Sequence, residues 1–156
     1  MKRTFLYWVR AWFPVALAIV MIALESTEYL GADRTSGPLR WLWEHIFGPV
    51  TERFWELTHH LIRKTGHFTG YGLVALTWLR ALWMSLPRLN FFQTALLALL
   101  GTALTASCDE FHQTFLPNRT GLASDVLLDC CGATTMLVVF YVAIRLTKGI
   151  WLERSV

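Results

Sequence analysis

Charge is what this chain has little of. Only 16% of its 156 residues are Asp, Glu, Lys or Arg, against about 25% in a typical soluble domain. A soluble fold this small needs more polar surface than that, so a free-standing globular domain is excluded. Cysteine is scarce as well. There are three, and Cys130 and Cys131 are adjacent, which is neither a disulfide framework nor spaced metal-ligating pairs. They read as small packing residues, with a Cys108–Cys130 bridge disfavoured. The chain also lacks His-Glu-x-x-His, Gly-x-Ser-x-Gly and any glycine-rich phosphate loop, which lowers the case for the hydrolases and nucleotide enzymes that use them. It has no internal repeat and no low-complexity stretch, and its length fits one domain over 1–156.

What is abundant is apolar and aromatic. Hydrophobic residues make up 54% of the chain, mean hydropathy is +0.42, and there are eight Trp. Most of the Trp lie near the ends of apolar runs, where an amphipathic ring suits a membrane interface. The net charge of +3 does not point to nucleic acid, because the Lys and Arg are dispersed among apolar segments rather than gathered on one face. Anionic headgroups account for them better.

The chain therefore predicts an all-α integral membrane bundle of four transmembrane helices, with an amphipathic segment between the first and second. The first apolar run, Phe13 to Leu24, follows Lys2, Arg3 and Arg10. Glu25, Ser26, Thr27 and Glu28 come after it instead of a small-x-small cleavage site, so it reads as an uncleaved signal anchor. Its span is placed at about 9–30, near the roughly 20 residues a bilayer requires. Gly31 to Pro38 reads as a polar turn. Residues 39–60 carry Leu42, Ile46, Val50, Phe54 and Leu57 near helical spacing, with Gly48-Pro49 as a breaker. They predict either a helix on the membrane surface or a hairpin packed on the bundle. Further spans follow at about 61–86, 91–113 and 125–146. Basic residues favour the side that holds both ends of the chain, which predicts cytoplasmic termini and outward loops at 31–60 and 114–124.

On that topology the polar residues converge. Glu25 and Glu28 end the first span, Lys64, His67 and Tyr71 lie early in the second, and Asp109, Glu110, His112 and Gln113 close the third. Arg119 is in the outer loop, and Asp125 and Asp129 open the fourth. Lys64, His67 and Tyr71 share one helix face, as do Asp109 with Gln113 and Asp125 with Asp129. An ionised side chain within a span costs about 2.5–3.5 kcal/mol on insertion scales, so these groups must pair or line a wet cavity. Gly66 and Gly70, four apart, predict a close helix approach. The inner halves carry little comparable apart from Arg80. Taken singly, His112 is an interfacial histidine more readily than a ligand, and a polar network that merely holds helices together is the competing explanation.

These residues resemble a known family. Arg63-Lys64-Thr65-Gly66-His67-Phe68-Thr69-Gly70-Tyr71 is similar to the Lys-x-x-His-Phe-x-x-Tyr motif of VanZ-like proteins. Asp109-Glu110-Phe111-His112-Gln113-Thr114-Phe115-Leu116-Pro117-Asn118-Arg119 is similar to their Asp-Glu-x-x-Gln-x-Phe-x-Pro-x-Arg motif, with Asn118 where the family has glycine. Asp125, Asp129 and Gly132 match the Asp-x-x-x-Asp-x-x-Gly that ends the signature. The resemblance covers roughly residues 60 to 140. It implies a multi-pass protein of the bacterial plasma membrane and a link to teicoplanin susceptibility.

Three functions compete. The leading expectation is a binding protein in which Lys64, His67, Tyr71, Asp109, Glu110, Gln113, Arg119, Asp125 and Asp129 line an outward polar cavity. That cavity would hold a membrane lipid headgroup or a lipid-linked cell-wall precursor. The alternative is an intramembrane enzyme using acid–base or metal-assisted hydrolysis or transfer. A proton-coupled transporter is third, because polar groups confined to one end make no relay across a bilayer. The sequence assigns no metal ligands and no cofactor.

Overall fold

A computed structural model describes residues 3–27, 31–116 and 121–147. Among them the regular structure is five helices: α1 (Phe5–Glu25), α2 (Ala32–Phe47), α3 (Glu52–Ser85), α4 (Phe91–Gln113) and α5 (Ala123–Leu146). Local chemistry sets several of the boundaries. Thr51 caps α3 by accepting from the Phe54 backbone N–H. Asn90 and Gln93 form a reciprocal capping box at the start of α4, satisfying amides that the first turn leaves open. Gly48 ends α2 at φ +91°, a conformation glycine adopts without a Cβ penalty, and Pro49 prevents continuation.

The third predicted span matches α4, and the fourth starts two residues early at Ala123. The first helix is shifted towards the N-terminus, running Phe5–Glu25 rather than 9–30; positions 28–30, with Glu28, lie outside the described residues. Gly31 to Pro38 is not a turn. Gly31 is the extended N-cap of α2, and Asp33 sits in its first turn, where a carboxylate complements the helix dipole. The segment 39–60 is divided at Gly48, and its second half is continuous with the helix expected to begin at 61.

Among the described residues, three helices are long and apolar enough to cross a membrane: Phe5–Glu25, Phe91–Gln113 and Ala123–Leu146. The sequence predicted four. The shortfall is α3, which is ample in length but carries Arg63, Lys64, His67 and Arg80 among its apolar residues. It is instead the axis of the bundle, packed most extensively on α5 and then on α4 and α1. Its core with α4 and α5 uses Ala75, Leu79, Phe91, Ala98, Ala133 and Leu137. Larger side chains such as Leu96, Leu100, Leu104, Val138 and Val139 point outward. That is the pattern of a protein whose solvent is lipid, where close packing rather than water exclusion joins the helices.

The closest approach is between α3 and α5. A Cβ on Gly132 would come within 2.0 Å of the Phe68 carbonyl oxygen, and one on Gly72 within 3.1 Å of Met136 Cβ. Gly101 of α4 is covered by the Trp78 indole, 2.8 Å from where a Cβ would be. Gly66 and Gly70, expected to mark the crossing, have nothing within 4 Å of a Cβ. Their spacing puts them on one face of α3, but Gly132 is what admits the neighbouring backbone.

At the N-terminal end of α1, polar side chains seal open backbone. Pro14 lies inside α1 and has no N–H to give the Arg10 carbonyl. Arg80 of α3 supplies the donor, with Nη1 2.6 Å from Arg10 O and 3.3 Å from Ala11 O. Tyr7 donates to the Met84 carbonyl and Trp12 to Ser85 Oγ at 3.1 Å. At the other end α2 folds back on the start of α3 as a hairpin. Trp55 Nε1 donates to Ser36 Oγ at 2.8 Å, Thr35 Oγ1 is 3.2 Å from His59 Nε2, and Arg40 bridges Glu44 and Glu52. Of the two forms expected for this region, the hairpin is the one adopted, packed on α3 alone.

Candidate functional site

The antiparallel order brings the C-terminal ends of α1 and α4, the start of α5 and the first half of α3 to one end of the bundle. Eight of the nine expected site residues meet there. The ninth, Arg119, lies outside the described residues.

The contacts fall into two groups. On the α1 side, Tyr71 is fully buried and its hydroxyl donates to Asp109 Oδ2 at 3.1 Å. Gln113 Nε2 donates to the same oxygen at 3.0 Å, as the i, i+4 spacing on α4 allows. On the α5 side, Lys64 Nζ pairs with Asp125 Oδ1 at 2.5 Å. Glu110 accepts the Leu122 backbone N–H at 2.9 Å through Oε2. Leu122 is the N-cap of α5, so the Glu110 carboxylate closes a helix start that has open amides and a favourable dipole.

His67 and Asp129 are packed between these groups. His67 Nδ1 lies 3.4 Å from Asp129 Oδ1, close enough for an ion pair but without hydrogen-bond geometry. Asp129 is 0% exposed and Glu110 is 5% exposed. Both Asp129 carboxylate oxygens, Glu110 Oε1 and His67 Nδ1 are buried without a hydrogen-bond partner among the described residues. One donor atom from each of these three residues lies within 4.8 Å of the others.

Two openings adjoin this network. A cleft of about 20 Å³ is lined by Ile22, Glu25, Ser26, Gly66, His67, Tyr71, Asp109 and Gln113, which is room for about one water or ion. A larger groove of about 350 Å³ runs along α1 and α4 over Trp78 and Gly101. Its walls are apolar, including Ile19, Ile22, Ala23 and Leu104, and Asp109 and His112 also line it. Two residues that sequence reasoning set aside belong here. Ser26, 2% exposed, lies 3.5 Å from His112 through their Oγ and Nδ1 atoms. A small hydroxyl at a span end gives no sequence signal, whereas His112 sat inside the recognised motif and was discounted only when taken alone. Cys108, Cys130 and Cys131 are all free thiols.

An α-helical bundle with apolar side chains turned outward, three helices of spanning length and an acid-rich network at one end defines a polytopic membrane protein. A family model described as VanZ/LLP1 matches residues 11–145. The chain belongs to the VanZ/LLP1 family. No curated protein and no solved structure matches it.

Proposed function

We propose that this protein binds a lipid-anchored molecule of the bacterial cell envelope, with its apolar chain in the groove along α1 and α4 and its headgroup against the polar end. The observation that carries this reading is the junction of an apolar groove of about 350 Å³ with Asp109 and His112. Pockets of this size suit small apolar ligands oriented by a few polar groups. Beyond the groove lie Tyr71, Gln113 and the Lys64–Asp125 pair, with carboxylates suited to amines and sugar hydroxyls and cations suited to phosphate. On this reading α3 is a fourth span, 1–156 is one domain, both termini are cytoplasmic and the polar end faces outward. An envelope precursor held there would be less open to a lipoglycopeptide such as teicoplanin, lowering susceptibility. The second reading, an intramembrane acid–base enzyme acting on the same lipid, is favoured by the buried carboxylate oxygens of Glu110 (Oε1) and Asp129, which accept no hydrogen bond among the described residues.

The test fills the groove. Ala23 is exposed on α1 and lines it, so Ala23→Trp blocks the groove without entering the core. Lipid retained through purification is measured by native mass spectrometry after exchange into vesicles containing phosphatidylglycerol, and teicoplanin susceptibility is measured in a deletion strain complemented with each variant. The expected result is a loss of retained lipid of several-fold and a susceptibility near that of the deletion. Asp109→Asn, which keeps a hydrogen-bonding group, should be milder than Asp109→Ala. Retained lipid and susceptibility equal to wild type in Ala23→Trp would refute the reading.

A further inference from the structure

We propose that His67, Glu110 and Asp129 form a binding site for one divalent transition-metal ion. The proposal stands apart from lipid binding, because it concerns the α5 side of the network and holds whatever occupies the groove along α1 and α4.

Three observations carry it. The first is the donor set. One atom from each residue lies within 4.8 Å of the others, and ligands bound tetrahedrally to an ion at 2.0–2.2 Å are about 3.4 Å apart. Small side-chain rotations therefore close the set around an ion. The second is that these atoms are unsatisfied as hydrogen-bonding groups. Among the described residues, His67 Nδ1, Glu110 Oε1 and both Asp129 oxygens are buried and lack hydrogen-bond partners, the 3.4 Å approach of His67 to Asp129 having no hydrogen-bond geometry, although such groups in native proteins are nearly always satisfied. The third is charge. Two carboxylates out of contact with water at a membrane-protein core need a counter-charge. Among the described residues, Lys64 is paired with Asp125 and His67 faces Asp129, so a protonated imidazole would balance at most one of the two carboxylates.

The surroundings suit an ion as well. Glu110 is held from its other oxygen by the Leu122 N–H, which leaves Oε1 directed and fixed. Gly132 lets the α3 backbone come against α5 one turn after Asp129, which draws His67 and Asp129 together. One imidazole nitrogen with two carboxylates favours Zn²⁺ or Mn²⁺ over Mg²⁺ and Ca²⁺, which prefer all-oxygen shells. Three protein ligands leave at least one position open, as in metal sites that bind a further ligand.

The probe is the metal alone. Full-length protein in detergent is stripped with chelator, then titrated separately with Zn²⁺, Mn²⁺, Mg²⁺ and Ca²⁺, and bound metal is counted by elemental mass spectrometry. The expected result is one Zn²⁺ or Mn²⁺ per chain, with Mg²⁺ and Ca²⁺ at least tenfold weaker. Asp129→Asn and His67→Gln should each weaken binding at least tenfold, while Trp55→Phe, in the hairpin away from the site, should bind as wild type. Pulsed electron paramagnetic resonance of bound Mn²⁺ in the wild-type protein should show a directly coordinated imidazole nitrogen, so the proposal remains testable if a variant fails to fold. Substoichiometric binding of all four ions, a bound Mn²⁺ with no nitrogen coupling, or folded variants that bind as wild type would each overturn it. Ala23→Trp should keep the metal even while losing lipid, so the two proposals fail separately.

Discussion

The two ends of the bundle both bring polar side chains against helices, and they use them differently. At the N-terminal end of α1, each donor has its acceptor: Arg80 meets the carbonyl that Pro14 cannot satisfy, Tyr7 meets Met84 O, and Trp12 meets the Ser85 hydroxyl. At the other end, Glu110 meets the Leu122 N–H, but four buried atoms of His67, Glu110 and Asp129 have no hydrogen-bond partner among the described residues. A charge in a membrane helix is therefore not by itself a functional mark. The distinction lies in whether the fold already supplies its partner.

Four substitutions bear on that contrast, taken from the largest expected change in stability to the smallest. Gly132→Ala should be the most damaging, because its Cβ would sit 2.0 Å from the Phe68 carbonyl oxygen. Overpacking of this kind costs about 1–3 kcal/mol and sometimes more, and a backbone neighbour cannot swing away. Thermal unfolding in detergent should show a large fall or no folded protein, whereas Gly70→Ala should unfold like wild type. Arg80→Ala comes next. It uncaps Arg10 O, and a partly exposed bond of this type is worth about 1 kcal/mol. The lowered midpoint should come with unchanged lipid retention, and a loss of retention would erase the contrast between the ends. Trp55→Phe removes the bond to Ser36, again about 1 kcal/mol at most, and should loosen α2 locally, read as faster hydrogen exchange in 32–47 only. Asp129→Asn should change stability least in the absence of metal, because the desolvated charge it removes accepts no hydrogen bond among the described residues and meets His67 only at 3.4 Å. A large destabilisation by Asp129→Asn would place that residue with Arg80, among the groups that serve the fold.

Much of this was legible in the sequence, and the misses have physical causes. The bounds of α4 were legible because residues 89–108 carry no charged side chain. The convergence of Lys64, His67, Tyr71, Asp109, Glu110, Gln113, Asp125 and Asp129 followed from helical phase and antiparallel order. The continuity of α3 through residues 52–60 did not, because amphipathic and buried segments of one helix look like two elements when read by composition. The close crossing was assigned to Gly66 and Gly70 by their spacing, but spacing cannot say which face a neighbour occupies. That role fell to Gly132, whose partner is the Phe68 carbonyl. Arg80 stood out in the sequence as an isolated charge. Its explanation required Pro14, 66 residues away on another helix, and no local pattern links the two.

The placement of charge along α3 has a consequence for the bilayer itself. Between His67 and Arg80 the helix is free of ionisable side chains apart from Tyr71, whose hydroxyl is bound to Asp109. That interval rises about 20 Å at 1.5 Å per residue, some 10 Å short of a typical hydrocarbon thickness of about 30 Å. With α3 spanning as proposed, the lipids beside it must either thin to meet its polar ends or be kept away by α1, α4 and α5. The groove along α1 and α4 leaves Trp78 of α3 open to lipid, so the membrane should be deformed there. Such a dimple lowers the work of lifting a headgroup out of its leaflet, and it makes the protein sensitive to acyl-chain length. Reconstitution in bilayers of increasing thickness should weaken lipid exchange at the groove well before it unfolds the helices.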